Sequence, residues 1–164
     1  MDRRDFLRCG SLAALMLAGS AAQAFSLPPD PVFGRSFEDL QGRQMSMAGY
    51  VGRPVVLNFW ASWCAPCVRE MPMLEALHHS HPQLVIVGVA IDTRSNVQRF
   101  LQKVTVSYPL VLGGTDGISL MRTLGNKGGG LPFTVFFNSG GRASSMVLGE
   151  LTPATLDARL SKIL

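Results

Sequence analysis

Two cysteines separated by two residues are the part of the chain best suited to chemistry. Cys64 and Cys67 follow an apolar run, Pro54 to Trp60, and open a segment with helical spacing. At a helix N-terminus, unpaired N–H groups and the helix dipole stabilise an anion, so the pKa of the Cys64 thiol should fall below that of free cysteine. The pair therefore predicts thiol–disulfide exchange, in which Cys64 attacks and Cys67, one turn further on, resolves the mixed disulfide.

Two other uses of the cysteine pair fit the sequence less well. A disulfide across so short a loop restricts the unfolded chain little, so a purely structural bond would stabilise the fold only slightly. A zinc site would need more ligands, and the nearest candidates are His78, His79 and His81, whose spacings are not those of zinc fingers. We therefore expect no metal and no organic cofactor, and we expect the histidines at a helix C-terminus, where cations are favoured.

The elements predicted around the cysteines are those of an α/β domain. Two apolar runs lack alternation, which is typical of strands covered on both faces. The second helix is expected to open with a capping box at Ser95 and Gln98. In chain order we predict hairpin 37–47, strand 54–60, helix 65–80, strand 84–91, helix 95–104, strand 110–112, short helix 118–124, hairpin 133–148 and a helix from 153. Alternating strands and helices with an antiparallel pair near the end indicate a mixed central sheet flanked by helices.

Length and composition exclude several classes of protein. The chain has 164 residues, of which 47% are hydrophobic, and this is enough for the core of one domain. Its net charge is +4, and because the basic residues are scattered we predict no nucleic-acid binding. Three cysteines are too few for a disulfide scaffold.

The first 24 residues are typical of an export signal. A basic start, the apolar run Ser11 to Ala22 and the small-residue site ending at Ala24 stand in the order of a cleavable leader. Arg3-Arg4 resembles a twin-arginine signal, and an ordinary secretory signal is the alternative. We expect residues 1–24 to be a leader that is cleaved or kept as a membrane anchor, 25–34 to be a linker and 35–164 to form the domain.

The sequence around the cysteines resembles the thioredoxin-fold proteins of the TlpA/ResA type, which are exported bacterial thiol–disulfide oxidoreductases. The likeness rests on Val55–Cys67, which reads VVLNFWASWCAPC, continues through Glu70 and Pro72, and resumes at Gly130-Leu131-Pro132-Phe133. It covers about residues 32–164. It implies a thioredoxin fold preceded by an N-terminal hairpin extension.

The resemblance also implies a substrate-binding surface. In this family a cis-proline, here Pro132, faces the cysteine pair, and the backbone of the residue before it, here Leu131, pairs with bound peptide. An ordinary trans-proline that ends a loop is the alternative. Trp63 would flank the substrate groove, together with Ala65 and Pro66 between the cysteines.

Glu70 is the candidate proton acceptor. Its spacing places it on one helix face with Cys64 and Cys67, and by the resemblance it lies near the thiols. There it could accept the Cys67 proton with a pKa raised by burial, whereas an exposed glutamate is the alternative. Asn58 stands where thioredoxin has a buried aspartate, and asparagine cannot titrate.

The partners follow from the same resemblance. We expect a monomeric periplasmic reductant of cysteine-containing client proteins, serving cytochrome c maturation or oxidase assembly and regenerated by a membrane thiol electron donor. Two alternatives remain: a disulfide oxidase or isomerase of the same fold, and a copper-binding or partner-binding module. A peroxidase is disfavoured because its reactive cysteine would be solitary and lie in a different motif.

Overall fold

A mixed β-sheet with helices on both faces forms the centre of the molecule. The structure is a computed structural model that describes residues 27–164. The strands are β1 Ser36–Asp39, β2 Gln44–Ser46, β3 Val55–Trp60, β4 Val85–Ala90, β5 Leu110–Leu112, β6 Phe133–Phe137 and β7 Ala143–Leu148. The helices are α1 Ala65–Ser80, α2 Arg94–Leu101, α3 Gly114–Thr123 and α4 Pro153–Leu160. The expected fold class, a mixed sheet flanked by helices, is confirmed.

The strand order is β2-β1-β5-β4-β3-β6-β7. β3 and β4 run parallel in the middle, and every residue of both strands is buried, as their unbroken apolar sequences predict. β6 lies antiparallel on the other side of β3, with Phe133 opposite Phe59 and Thr134 opposite Asn58. The predicted N-terminal hairpin forms as β1 and β2, and it joins the sheet because β1 also pairs with β5.

Alternating residues of the central strands divide the core into two layers. Val56 and Trp60 of β3 face the layer formed with α1, α2 and α4. Leu57 and Phe59 face the opposite layer, formed with α3 and the N-terminal turns. Asn58 is a buried polar residue on the α1 side, and it therefore needs polar partners from that helix or from a neighbouring strand.

Several local predictions differ from the structure: α3 begins at Gly114 instead of Ile118, and α2 ends at Leu101 instead of Val104. Helix α2 begins at Arg94, and its N-cap is Thr93 instead of Ser95, because the Thr93 hydroxyl accepts a hydrogen bond from the Asn96 N–H at 3.3 Å. Residues Pro31–Gly34, expected to end an extended linker, form a 3-10 turn in which Val32 and Phe33 are buried.

The predicted leader, residues 1–24, and the first two residues of the linker lie outside the described residues. Among residues 27–164, no helix is both long enough and apolar enough to cross a bilayer.

Candidate active site

Cys64 and Cys67 are joined by a disulfide at the start of α1, with their Cα atoms 5.3 Å apart. Cys64 is the N-cap residue of the helix, where its sulfur accepts a hydrogen bond from the Cys67 N–H at 3.4 Å. Pro66 lies in the first turn, where the missing N–H of a proline costs nothing. The strand–loop–helix arrangement therefore places Cys64 where a thiolate would be stabilised once the disulfide is reduced.

The two cysteines differ in exposure. Cys64 is 5% exposed, whereas Cys67 is fully buried. A disulfide of another protein can approach only a sulfur that reaches the surface. The difference supports an attacking role for Cys64 and an internal one for Cys67.

The predicted substrate-binding residues differ in exposure. Trp63 is 69% exposed, which is unusual for so large an apolar side chain. Ala65 is exposed, while Pro66 and Leu131 are half-buried. The Leu131–Pro132 peptide bond is cis. Pro132 directly precedes β6, whose first residue lies opposite the end of β3, so the cis bond and the cysteine loop meet at one end of the sheet.

Glu70 is buried, with 2% of its surface exposed. Its Oε1 accepts a hydrogen bond from the Asn58 Nδ2 at 2.7 Å, and its Oε2 accepts one from the Leu151 N–H at 2.8 Å. Burial raises the pKa of the Glu70 carboxyl above that of ordinary glutamate; the two hydrogen bonds oppose this rise, and the negative charge of Glu150 adds to it. Of the two sequence interpretations, the buried carboxyl is confirmed and the exposed one is wrong.

Asn58 connects Glu70 to the sheet. Its Nδ2 also donates to the Thr134 hydroxyl on β6, at 2.9 Å. Thr134, Asn58, Glu70 and the Leu151 N–H thus form a chain of buried polar groups that reaches α1 one turn after Cys67. The sequence analysis noted Asn58 only as a residue that cannot titrate and did not predict its contact with Glu70. Thr134 and Leu151 gave no signal because they are distant in sequence.

Asp92 is a residue of the site that the sequence analysis missed. It follows β4, and its Oδ2 accepts hydrogen bonds from the Ser62 N–H at 2.9 Å and the Ser62 hydroxyl at 2.6 Å. Asp92 therefore holds the loop that carries Trp63 and Cys64. The sequence did contain a signal for this contact. Asp92 follows the carboxyl end of one predicted parallel strand, and the loops that follow neighbouring parallel strands lie at the same edge of the sheet.

Asn126 is a second missed residue, and it holds the glycine-rich loop before the cis-proline. Its side chain is 3% exposed, and its Nδ2 donates to the Gly130 carbonyl at 2.8 Å. Its main-chain carbonyl also accepts a hydrogen bond from the Gly129 N–H, at 3.2 Å. A single asparagine in a loop gives no signal of such a role from sequence.

The three histidines are far from the cysteine pair. His78 and His79 occupy the last turn of α1, and His81 is its C-cap residue, as predicted. His78 lies about 16 Å along the helix from Cys67, at 1.5 Å per residue, so the two cannot share a zinc ion. Within residues 27–164 there is no group of three or more His, Cys, Asp or Glu residues that could hold a metal.

Comparisons with known proteins agree with this geometry. The profile of the AhpC/TSA family matches residues 18–143. The thiol–disulfide oxidoreductase ResA of Geobacillus thermodenitrificans is 29% identical over 147 residues, which cover 88% of this chain and 80% of that protein. ResA of Bacillus anthracis is 29% identical over 128 residues, 76% of this chain and 72% of the relative.

Solved structures give the same result. The structure of DsbF from Mycobacterium tuberculosis, in mixed oxidised and reduced forms, superposes with a TM-score of 0.72 at 28% identity and covers 83% of this chain and 99% of its own. A secreted disulfide oxidoreductase of the same organism, described as homologous to DsbE of E. coli, gives 0.68 at 25% identity and covers 80% and 98%. The resemblance to the TlpA/ResA type is confirmed: the chain belongs to the AhpC/TSA family and is a thiol–disulfide oxidoreductase with the thioredoxin fold.

Proposed function

We propose that this protein reduces disulfides in client proteins outside the cytoplasm, with Cys64 as the attacking thiolate and Cys67 as the resolving thiol. The observation that carries the proposal is the unequal burial of the two cysteines: Cys64 is slightly exposed at the helix N-terminus, and Cys67 is fully buried one turn from the buried Glu70 carboxylate. In such a pair the exposed cysteine can attack the client disulfide, and the buried cysteine can resolve the mixed disulfide that results.

The reaction starts from the reduced protein and has two steps. The Cys64 thiolate attacks one sulfur of a client disulfide; the client bond breaks, a mixed disulfide forms, and the second client sulfur leaves as a thiolate that takes up a proton. Cys67 then loses its proton and attacks the Cys64 sulfur, which breaks the mixed disulfide. The client leaves as a dithiol with two electrons gained, and the protein is left with the Cys64–Cys67 disulfide seen in the structure.

Glu70 serves the second step. Cys67 is fully buried, so its proton needs an acceptor inside the protein. Glu70 lies one turn along the same helix, and burial raises the pKa of its carboxyl, which makes the carboxylate a better base. Asn58, the residue at the position of thioredoxin's buried aspartate, has no proton to exchange and instead orients Glu70.

The client binds across the surface around the disulfide. Trp63 offers an exposed aromatic ring, and Ala65 and Pro66 lie between the cysteines. Leu131 precedes the cis-Pro132 at the same end of the sheet, where its backbone pairs with an extended client segment. The clients are proteins that carry cysteine pairs, as expected for substrates of a thiol–disulfide oxidoreductase.

The proposed location outside the cytoplasm and the proposed direction of electron flow are inferred from the N-terminal sequence and from similar proteins. The first 24 residues have the order of an export signal, and one structural relative is described as secreted. In an oxidising compartment a reductant must be regenerated, so a membrane thiol electron donor returns the pair to its reduced state. The protein works as a monomer in the periplasm, and its clients belong to cytochrome c maturation or oxidase assembly.

Trapping tests the order of attack. The reduced Cys67→Ser variant, mixed with a synthetic peptide that contains one internal disulfide, should accumulate a mixed disulfide at Cys64, because the resolving thiol is absent. The matched Cys64→Ser variant should accumulate none. Peptide mapping by mass spectrometry identifies the linked cysteine, and a peptide attached to Cys67 in the Cys64→Ser protein at a comparable rate would contradict the assignment.

A further inference from the structure

Three consecutive residues between β7 and α4 contact both the cis-proline and the buried carboxylate of the active site. We call Gly149-Glu150-Leu151 the strap. The Gly149 N–H donates to the Pro132 carbonyl at 2.9 Å, and the Leu151 N–H donates to Glu70 Oε2 at 2.8 Å. Between them, Glu150 forms an ion pair with Arg69. The strap therefore joins the cis-proline loop to the buried carboxylate.

The ion pair is a two-pronged contact. The Arg69 Nε lies 3.1 Å from both carboxylate oxygens of Glu150, and its Nη2 lies 2.5 Å from Oε2. Forked contacts between guanidinium and carboxylate fix orientation as well as distance. Neighbouring residues of α1, Arg69 and Glu70, are thus held by neighbouring residues of the strap, Glu150 and Leu151.

We propose that the Arg69–Glu150 ion pair positions the strap so that the Leu151 N–H stays on the Glu70 carboxylate. Arg69 and Glu150 act through Leu151 and touch neither sulfur nor client; they are positioning residues. The proposal deepens the proposed role of Glu70 as proton acceptor and rests on it. It adds that the hydrogen bonding of this buried proton acceptor depends on a contact at the surface, since the side chain of Arg69 is 60% exposed and that of Glu150 is 35% exposed.

An experiment on the strap must separate the effect of the Leu151 N–H on the pKa of Glu70 from the effects of the other groups that face Glu70. Asn58 on β3 and Thr134 on β6 are uncharged, and burial keeps the hydroxyl of Tyr108, before β5, neutral. Glu150 on the strap raises the pKa of Glu70 by its charge, and the Leu151 N–H lowers it. On α1 itself the neighbours are the neutral Cys67 and the cation Arg69. Removing Arg69 and Glu150 together also removes the charge of Glu150, and that loss by itself would lower the pKa of Glu70. A rise in the pKa of Glu70 in the double variant therefore reports loss of the Leu151 N–H.

The test uses the full chain with the paired change Arg69→Ala/Glu150→Ala. We expect the Leu151 amide to exchange its hydrogen about two- to fivefold faster, because the exposed ion pair that holds the strap is lost. We also expect the Glu70 carboxyl, followed by carbon NMR, to titrate at higher pH. The matched control is Arg94→Ala/Glu38→Ala, a second Arg–Glu pair, which joins α2 to β1 and should change neither quantity.

Unchanged exchange at Leu151, or a Glu70 titration that does not move to higher pH, would overturn the proposal. Arg69→Lys, which keeps the charge but loses the fork, should give an intermediate result, and it remains informative if the double variant folds poorly. The role of Glu70 is tested separately by Glu70→Gln. If that variant resolves mixed disulfides at the normal rate while the strap variant shifts both NMR quantities, the proton role fails and the positioning by the strap stands.

Discussion

The cysteine pair and Glu70 differ in how far along the chain the residues that determine their chemistry lie. The cysteine pair was predictable because its spacing and its place between a strand and a helix are local properties, and its geometry follows from the helix N-terminus. The spacing of Glu70 from Cys67 was equally local. Its burial was not, because Glu70 is enclosed by Asn58, 12 residues away, and by Leu151, 81 residues away.

Glu70→Gln should slow the resolution of a mixed disulfide by Cys67 by about tenfold or more and leave the attack of Cys64 nearly unchanged, because only the resolving step needs an internal base. In the wild type the resolution rate should rise with pH as Glu70 loses its proton. Because burial raises the pKa of Glu70, this rise should lie above the pH at which exposed glutamates titrate. Stopped-flow measurements of the two steps across pH give both quantities.

The variant Glu75→Gln serves as the control, since Glu75 lies further along α1, bound to Ser107 and His79. Its two rates should match those of the wild type. Equal slowing of both steps in Glu70→Gln, or a pH profile that the substitution leaves unchanged, would remove the proton-transfer role.

Among the elements, the loop between β3 and α1 matters most, because it carries Trp63 and Cys64. The sequence predicted its boundaries from the end of an apolar run and the helical spacing that follows. It did not predict the contact with Asp92, since hydrogen bonds between loops depend on which strands are neighbours. The same contact region explains the start of α2 at Arg94: Asp92 binds Asn96, and Thr93 caps the helix.

Asp92→Ala should lower the free energy of unfolding by about 1–3 kcal/mol near neutral pH, because a half-buried acceptor of several hydrogen bonds is lost. Burial raises the pKa of Asp92, but hydrogen bonds from Ser62, Asn96 and Thr93 outweigh it and leave the pKa below that of ordinary aspartate. The Asp92 carboxylate therefore stabilises the fold fully when the pH is above the pKa that Asp92 has in the unfolded chain. This stabilisation is lost as the pH falls through the lower pKa that Asp92 has in the folded protein.

Denaturant unfolding at several pH values measures this difference. The difference in the free energy of unfolding between wild type and Asp92→Ala should become smaller toward strongly acidic pH. Asp116→Ala, an exposed aspartate in the first turn of α3, should change the unfolding free energy by less than about 0.5 kcal/mol at every pH. A constant difference for Asp92→Ala would show that the charge of Asp92 is not what holds the loop.

At the scale of the whole molecule, the order of strands and helices was predictable because unbroken apolar runs and helical spacing mark the two kinds of element separately. Two corrections, the cap of α2 and the packed turn at Pro31–Gly34, arise where loop residues gain tertiary partners. The strap shows the limit most clearly: Arg69 and Glu150 are ordinary exposed residues in sequence, and only the chain fold makes them neighbours.

The export of the molecule gives a further prediction. Arg3→Lys/Arg4→Lys should retain the protein in the cytoplasm if the twin-arginine resemblance holds, because that route requires the arginine pair. Cell fractionation followed by immunodetection measures the distribution. Lys127→Arg, a substitution on the folded surface, is the control and should be exported normally. Undiminished export of the double variant would favour an ordinary secretory signal.

The reduction potential of the Cys64–Cys67 pair tests the central claim most directly, because the direction of electron flow follows from it. The domain would be equilibrated in graded thiol–disulfide buffers, with Cys67→Ser as the control that cannot form the internal bond. A reductant that works in an oxidising compartment should have a potential near that of thioredoxin, about −270 mV. A value near about −120 mV would make the protein a donor of disulfides and contradict the proposed direction.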